Sequence, residues 1–134
     1  MTNEACLNHP VSSVSGVVDR TKIQELLDFD RENADSLFSK LVGLFEASAP
    51  QRIHEMRRAL GKKALKILKR EAHTLKSSAG NLGAFKVQMG SQELEDLASN
   101  EDVQGASHLI DALELQVNQA ISELRQFIED KHRP

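Results

Sequence analysis

The residues best suited to chemistry lie in one stretch of the 134-residue chain, where His73 has Lys69 and Arg70 one turn before it and Lys76 and Ser77 one turn after. In a helix that advances about 100° per residue, Lys66, Lys69, Arg70, His73, Lys76, Ser77 and Gly80 share one face. His73 sits in the middle of that face, about 130° from the centre of the helix's apolar stripe, and is expected to face solvent. Cations around it disfavour the imidazolium and keep the ring neutral and nucleophilic near neutral pH. They also attract anions. Ser77, Ser78, Ala79 and Gly80 are small, which lowers helix propensity but leaves open space beside the imidazole. No free backbone N–H group is available mid-helix, so a side chain such as Lys76 must supply the charge opposite a bound anion. Helix geometry alone leaves open the plainer alternative of an exposed histidine among surface lysines.

Several chemistries are excluded by what the chain lacks. It has no glycine-rich phosphate loop and no nucleotide-binding domain, so it is expected neither to bind nor to hydrolyse ATP. Its single cysteine, Cys6, rules out an internal disulfide or a cysteine-based metal site and fits a reducing, cytoplasmic setting. A metal site made of His73 and Glu95 is also set aside, because two ligands beside several lysines hold a cation poorly. No apolar run is long enough for a membrane span, and the first residues lack a signal-peptide pattern.

The net charge of −3 speaks against nucleic acid, yet its distribution is uneven. Arg52, Arg57, Arg58, Lys62, Lys63, Lys66, Lys69, Arg70, Lys76 and Lys86 face only Glu55 and Glu71, giving +8 between flanks of −4 and −7. Such a segment suits an acidic partner, or is simply a solvated helix face.

The elements that must position these residues are helical. The composition is rich in helix formers, with no Trp or Tyr, and the length is that of one domain. Residues 1–16 have no apolar period and read as a flexible tail or linker, with 132–134 as a second tail. Asp19 is a candidate N-cap for a short first helix carrying Ile23, Leu26 and Leu27. A long second helix carries Leu37, Leu41, Leu44, Phe45, Ile53, Met56 and Leu60, is expected to kink or restart at Pro50, and ends at Gly61. The third, about Lys63 to Asn81, places Leu65, Leu68, Ala72, Leu75, Ala79 and Leu82 in a 3-4 rhythm. After a turn at Gly83, a fourth helix carries Val87, Gly90, Leu94 and Leu97 to about Ala98. A fifth opens with Glu101 and Asp102 and carries Val103, Ala106, Ile110, Leu113, Val117, Ala120, Leu124 and Ile128 to about Lys131. The expected fold is all-α: an antiparallel four-helix bundle with a short extra N-terminal helix, spanning 17–131.

The string AHTLKSSAGNLGA resembles the signature of histidine phosphotransfer (HPt) domains, roughly His-x-x-Lys-Gly-Ser/Ala-Ala-x-x-Leu-Gly, through His73, Lys76, Ser78, Ala79, Leu82 and Gly83. ASAPQRIHEMRRAL and GSQELEDLA look like the family's long second helix and its fourth-helix pattern, and the resemblance covers about Val17 to Lys131. One position departs, with Ser77 where the family usually has Gly. The resemblance implies a phosphorelay intermediate. His73 would accept the phosphoryl group, through Nε2, from a receiver-domain aspartate and pass it to a response regulator. Lys76 would balance the phosphoryl charge. Glu95 would accept a hydrogen bond from Nδ1–H, fixing the tautomer and raising the basicity of the other nitrogen. Gln92, one turn earlier, would replace Glu95 if the register differs.

Partner contacts would come from Lys66, Lys69, Arg70, Ser77, Gly80 and Gln92, with Leu44 and Phe45 adding area if exposed. The implied partners are response-regulator receiver domains and a hybrid sensor histidine kinase. The chain would be a monomer with no cofactor of its own, Mg²⁺ being held by the receiver. Two other readings compete. IHEMRRAL around His54 looks like the phospho-acceptor box of sensor kinases, lacking its proline, but no ATP-binding domain accompanies it. A non-catalytic helical adaptor is the other. His9, His108 and His132 have no evident role.

Overall fold

The structure is a computed structural model that describes residues 14–15, 18–29 and 34–131. Two short strands, β1 (Val14–Ser15) and β2 (Val18–Asp19), precede five helices: α1 (Arg20–Phe29), α2 (Ala34–Gly61), α3 (Leu65–Asn81), α4 (Phe85–Ser99) and α5 (Val103–Lys131). Helices α2 to α5 form an antiparallel four-helix bundle in which each packs on its sequence neighbour and α5 closes on α2. Short turns between consecutive helices enforce that order. The small α1 is the extra N-terminal helix.

The segment that opens α1 is tied down in two ways. Asp19 Oδ1 accepts hydrogen bonds from the N–H groups of Thr21 (2.9 Å) and Lys22 (3.3 Å), the N-cap expected from sequence. The Asp19 N–H donates to the Gly83 carbonyl at 2.6 Å, fastening this segment to the α3–α4 turn. Val18 and Ile23 are buried beneath it, and Arg20 lies 5.0 Å from the centre of the Phe127 ring. Val14 and Ser15, which the sequence places in the tail, pair antiparallel with Asp19 and Val18. Cys6, His9, the 132–134 tail and the side chains of Leu26 and Leu27 lie outside the described residues.

The core matches the 3-4 rhythm closely on α3, where Leu68, Ala72, Leu75 and Ala79 are buried. On α5, Ala106, Ile110, Leu113, Val117, Ala120 and Leu124 are buried as expected. The long α2 differs. Its core residues are Phe38, Val42, Phe45, Ala49, Ile53, Met56 and Ala59, whereas Leu37 and Leu44 are exposed and Leu41 and Leu60 half-buried. Two apolar stripes run side by side along this helix, one residue apart, and packing chose the one that puts both Phe38 and Phe45 inside.

Three boundaries also differ from expectation. α2 continues through Pro50 without restarting, with Ala49 and Ile53 on either side of it buried in the core. Lys63, in left-handed conformation at φ 56°, delays α3 to Leu65. Glu101, at φ 59°, stands outside α5, and Asp102 is its N-cap, accepting from the Gly105 N–H at 2.8 Å.

Candidate functional site

The face of α3 opposite the core presents His73 with its side chain 62% exposed, as its angular position requires. Directly across the interface on α4 lies Glu95. The sequence could not separate a functional glutamate from an ordinary exposed one. Here Glu95 is buried, ranked with Ser91 among the few buried polar residues. Its Oε2 is 3.3 Å from His73 Nδ1. An ionised carboxylate only accepts, so Nδ1 is the nitrogen that donates in this contact, and Nε2 is the ring nitrogen left without it.

Lys76 reaches the same carboxylate, its Nζ lying 2.7 Å from Glu95 Oε1. It also donates to Gln92 Oε1 at 2.8 Å, and Gln92 Nε2 donates to Asp96 Oδ1 at 3.1 Å. His73, Lys76, Gln92, Glu95 and Asp96 are therefore linked in one network across α3 and α4. Burial pushes the Glu95 carboxyl up, but the hydrogen bonds and charges of Lys76 and His73 outweigh it, and the group lies below its ordinary range.

The other residues singled out from sequence do not join this cluster. Lys66, Lys69 and Arg70 are exposed toward the N-terminal end of α3, where Lys66 and Lys69 border a shallow groove with Ala98, Ser99 and Glu101. Ser77 is exposed at the C-terminal end. Ser78 turns its hydroxyl to the Thr74 carbonyl at 3.1 Å. Gly80 is half-buried, and a Cβ there would meet only the amide end of Gln88, 2.9 Å away.

Two expectations are corrected. Phe45 is core and offers no contact area; Leu44, 66% exposed beside Leu41, Ser48, Ser78 and Asn81, does. Nor do the cations from Arg52 to Lys86 form one face. Arg52 pairs with Glu71, Arg57 with Asp111 and Glu114, and Arg58 with Glu55, so these guanidiniums are spent on contacts within and between helices. Asp96 was missed from sequence. Its i,i+4 spacing from Gln92 is the one signal that would have found it. His54 is exposed on α2, and no group of three metal-ligating side chains occurs among the described residues.

The site is thus a four-helix bundle whose α3 carries a solvent-facing imidazole, with a buried carboxylate behind it and a lysine one turn on. Residues 40–127, well over half of the chain, match the family model of the Hpt domain, and the chain belongs to that family. It is a histidine phosphotransfer domain of the kind that works as an intermediate in phosphorelays. Domains of this family interact with receiver domains and histidine kinases.

Solved structures agree on the fold. Histidine-containing phosphotransfer protein B from Pseudomonas aeruginosa PAO1 superposes with a TM-score of 0.75 at 22% identity, over 90% of this chain and 100% of that one. A rice protein assigned as a histidine-containing phosphotransfer protein gives 0.74 at 20% identity, over 92% and 91%. No curated protein matches closely enough to count as a relative. Among the described residues no helix is long and apolar enough to cross a membrane.

Proposed function

We propose that His73 is the phospho-acceptor of this domain and that Nε2 is the reacting atom. The observation that carries the reading is the exposed ring whose Nδ1 is engaged by buried Glu95, which leaves Nε2 as the accessible lone pair. Nε2 attacks the phosphorus of a receiver's aspartyl phosphate in line, the N–P bond forms as the P–O bond breaks, and the aspartate leaves with the electron pair. Glu95 faces the positive charge that develops on the ring through its Nδ1–H. The reverse reaction loads a response-regulator receiver.

The chain supplies a nucleophile and its orientation, and has no kinase activity of its own. It holds no cofactor, Mg²⁺ belonging to the acidic pocket of the receiver. Lys66, Lys69, Arg70, Ser77 and Gly80, along the same helix as His73, and Gln92 on α4 contact the receiver or the hybrid kinase that feeds the relay, with Leu44 adding apolar area. We take the domain to span 17–131, to act as a monomer and to work in the cytoplasm. Transfer from a phosphorylated receiver, comparing the intact chain with His73→Gln, tests the reading. Acid-labile, base-stable label that is lost in the variant is expected; equal label in both would refute it.

A further inference from the structure

Lys76 has two claims on it. As a phosphoryl-balancing cation it belongs near Nε2, yet in this structure its ammonium is bound to Glu95 Oε1 and Gln92 Oε1. The two oxygens of one carboxylate hold His73 Nδ1 and Lys76 Nζ respectively, so the ammonium lies alongside the Nδ1 edge of the ring. A phosphoryl group on Nε2 would stand at the opposite edge. One turn of helix separates His73 from Lys76, and four methylenes give the lysine the reach to serve either edge.

What holds it at the first is polar and specific. The amide of Gln92 has one acceptor and one donor end, and Asp96, an acceptor, takes the donor end at 3.1 Å. The Gln92 oxygen is thereby turned toward Lys76, where the reverse orientation would set an NH₂ group against an ammonium. Gln92 and Asp96 are both exposed and contribute nothing to the core, so packing does not account for this arrangement.

We propose, on the footing that His73 is the phospho-acceptor, that Gln92 and Asp96 are positioning residues which park Lys76 on Glu95 until a phosphoryl group on His73 draws it away. While parked, the ammonium partly neutralises the carboxylate, satisfying a buried charge that would otherwise lack a full partner. During transfer Nε2 forms its bond to phosphorus, Nδ1 keeps its proton and the ring becomes cationic. Release of Lys76 to the phosphoryl oxygens then restores the full charge of Glu95 opposite that cation. One lysine thus serves two anions in succession.

Side-chain nitrogen NMR of the full chain tests this through the Lys76 ammonium signal. In the unphosphorylated protein, Gln92→Leu and Asp96→Ala should speed exchange of the ammonium protons about tenfold, the equivalent of one lost charge-assisted hydrogen bond. Asp96→Asn, which keeps an acceptor but no charge, should restore the wild-type rate. After phosphorylation with the small-molecule donor phosphoramidate, the Lys76 signal should move and cease to depend on residue 92. An unchanged signal in Gln92→Leu, a failure of Asp96→Asn to rescue, or a Lys76 signal indifferent to phosphorylation would each overturn the proposal. Failure of the underlying reading looks different: phosphorus NMR would show no N–P resonance on the wild type, or the same one on His73→Gln.

Discussion

Glu95 Oε2 lies 3.3 Å from His73 Nδ1, a buried carboxylate on α4 meeting an exposed imidazole on α3. On the proposed reading this one contact holds the Nδ1 side of the ring and leaves Nε2 to react. Glu95→Ala should therefore slow phosphotransfer by about 10-fold to 100-fold, by analogy with the loss of orienting carboxylates behind metal-bound histidines. Glu95→Gln, which keeps an accepting oxygen, should fall in between. Rapid-quench transfer from a phosphorylated receiver measures both, and a wild-type rate in the alanine variant would contradict the assignment.

The two histidines that look reactive in sequence are separable. His54 is exposed on α2 and has none of the partners that surround His73. His54→Ala should accept label at the wild-type level, while His73→Gln should accept none.

The pH dependence of stability follows from the same carboxylate. Lys76 and His73 hold its folded pKa below the ordinary 4.5 against the opposing effect of burial. The folded state thus binds fewer protons than the unfolded one, and the pairing stabilises the fold above pH ~4.5 and is lost as pH falls through the folded value. Urea midpoints of the wild type should drop more steeply on acidification below that point than those of Glu95→Gln. Parallel profiles would show that Glu95 is not coupled to folding.

Leu44 and Phe45 are neighbours with opposite environments, 66% and 2% exposed. Leu44→Asn should change unfolding free energy by no more than ~0.5 kcal/mol while weakening receiver binding. Phe45→Ala should cost about 3–5 kcal/mol. Denaturant melts together with a receiver titration distinguish the two effects.

Gly83 holds φ 74°, and a Cβ there would come within 2.9 Å of the Lys22 side chain and 3.2 Å of the Asp19 carbonyl. Gly83→Ala should destabilise by at least ~1–2 kcal/mol, the left-handed penalty alone, and should loosen α1 first because that turn anchors it. Faster amide exchange confined to 18–25 would be the signature.

How far the sequence carries depends on whether a pattern is unique. On α3 a single 3-4 seam leaves one solution, so both the buried face and the exposure of His73 follow from periodicity alone. On α2 two apolar stripes share one helix, and only the company of the other three helices decides that Phe38, Val42 and Phe45 go inward while Leu37 and Leu44 stay out. Pro50 belongs to the same case: the local rule allows a restart there, and the helix continues within the packed bundle. Caps and turns were partly legible, since Asp19 acts through its own next three residues, whereas the left-handed Glu101 that moves the start of α5 carries no such mark.

At the site the sequence by itself singled out His73 as the candidate nucleophile, placed it on an exposed face with Lys66, Lys69 and Arg70 and, through the HxxK pattern, marked the lysine one turn on. All of these lie within one helix, where spacing and geometry are the same thing. Only the tertiary structure decided which side chains stand behind the ring. The register of α4 against α3 buries Glu95, brings it to His73 and Lys76 at once, and joins Gln92 and Asp96 to the lysine. Contacts between helices depend on how two cores interlock, and no spacing along either chain segment encodes that distance.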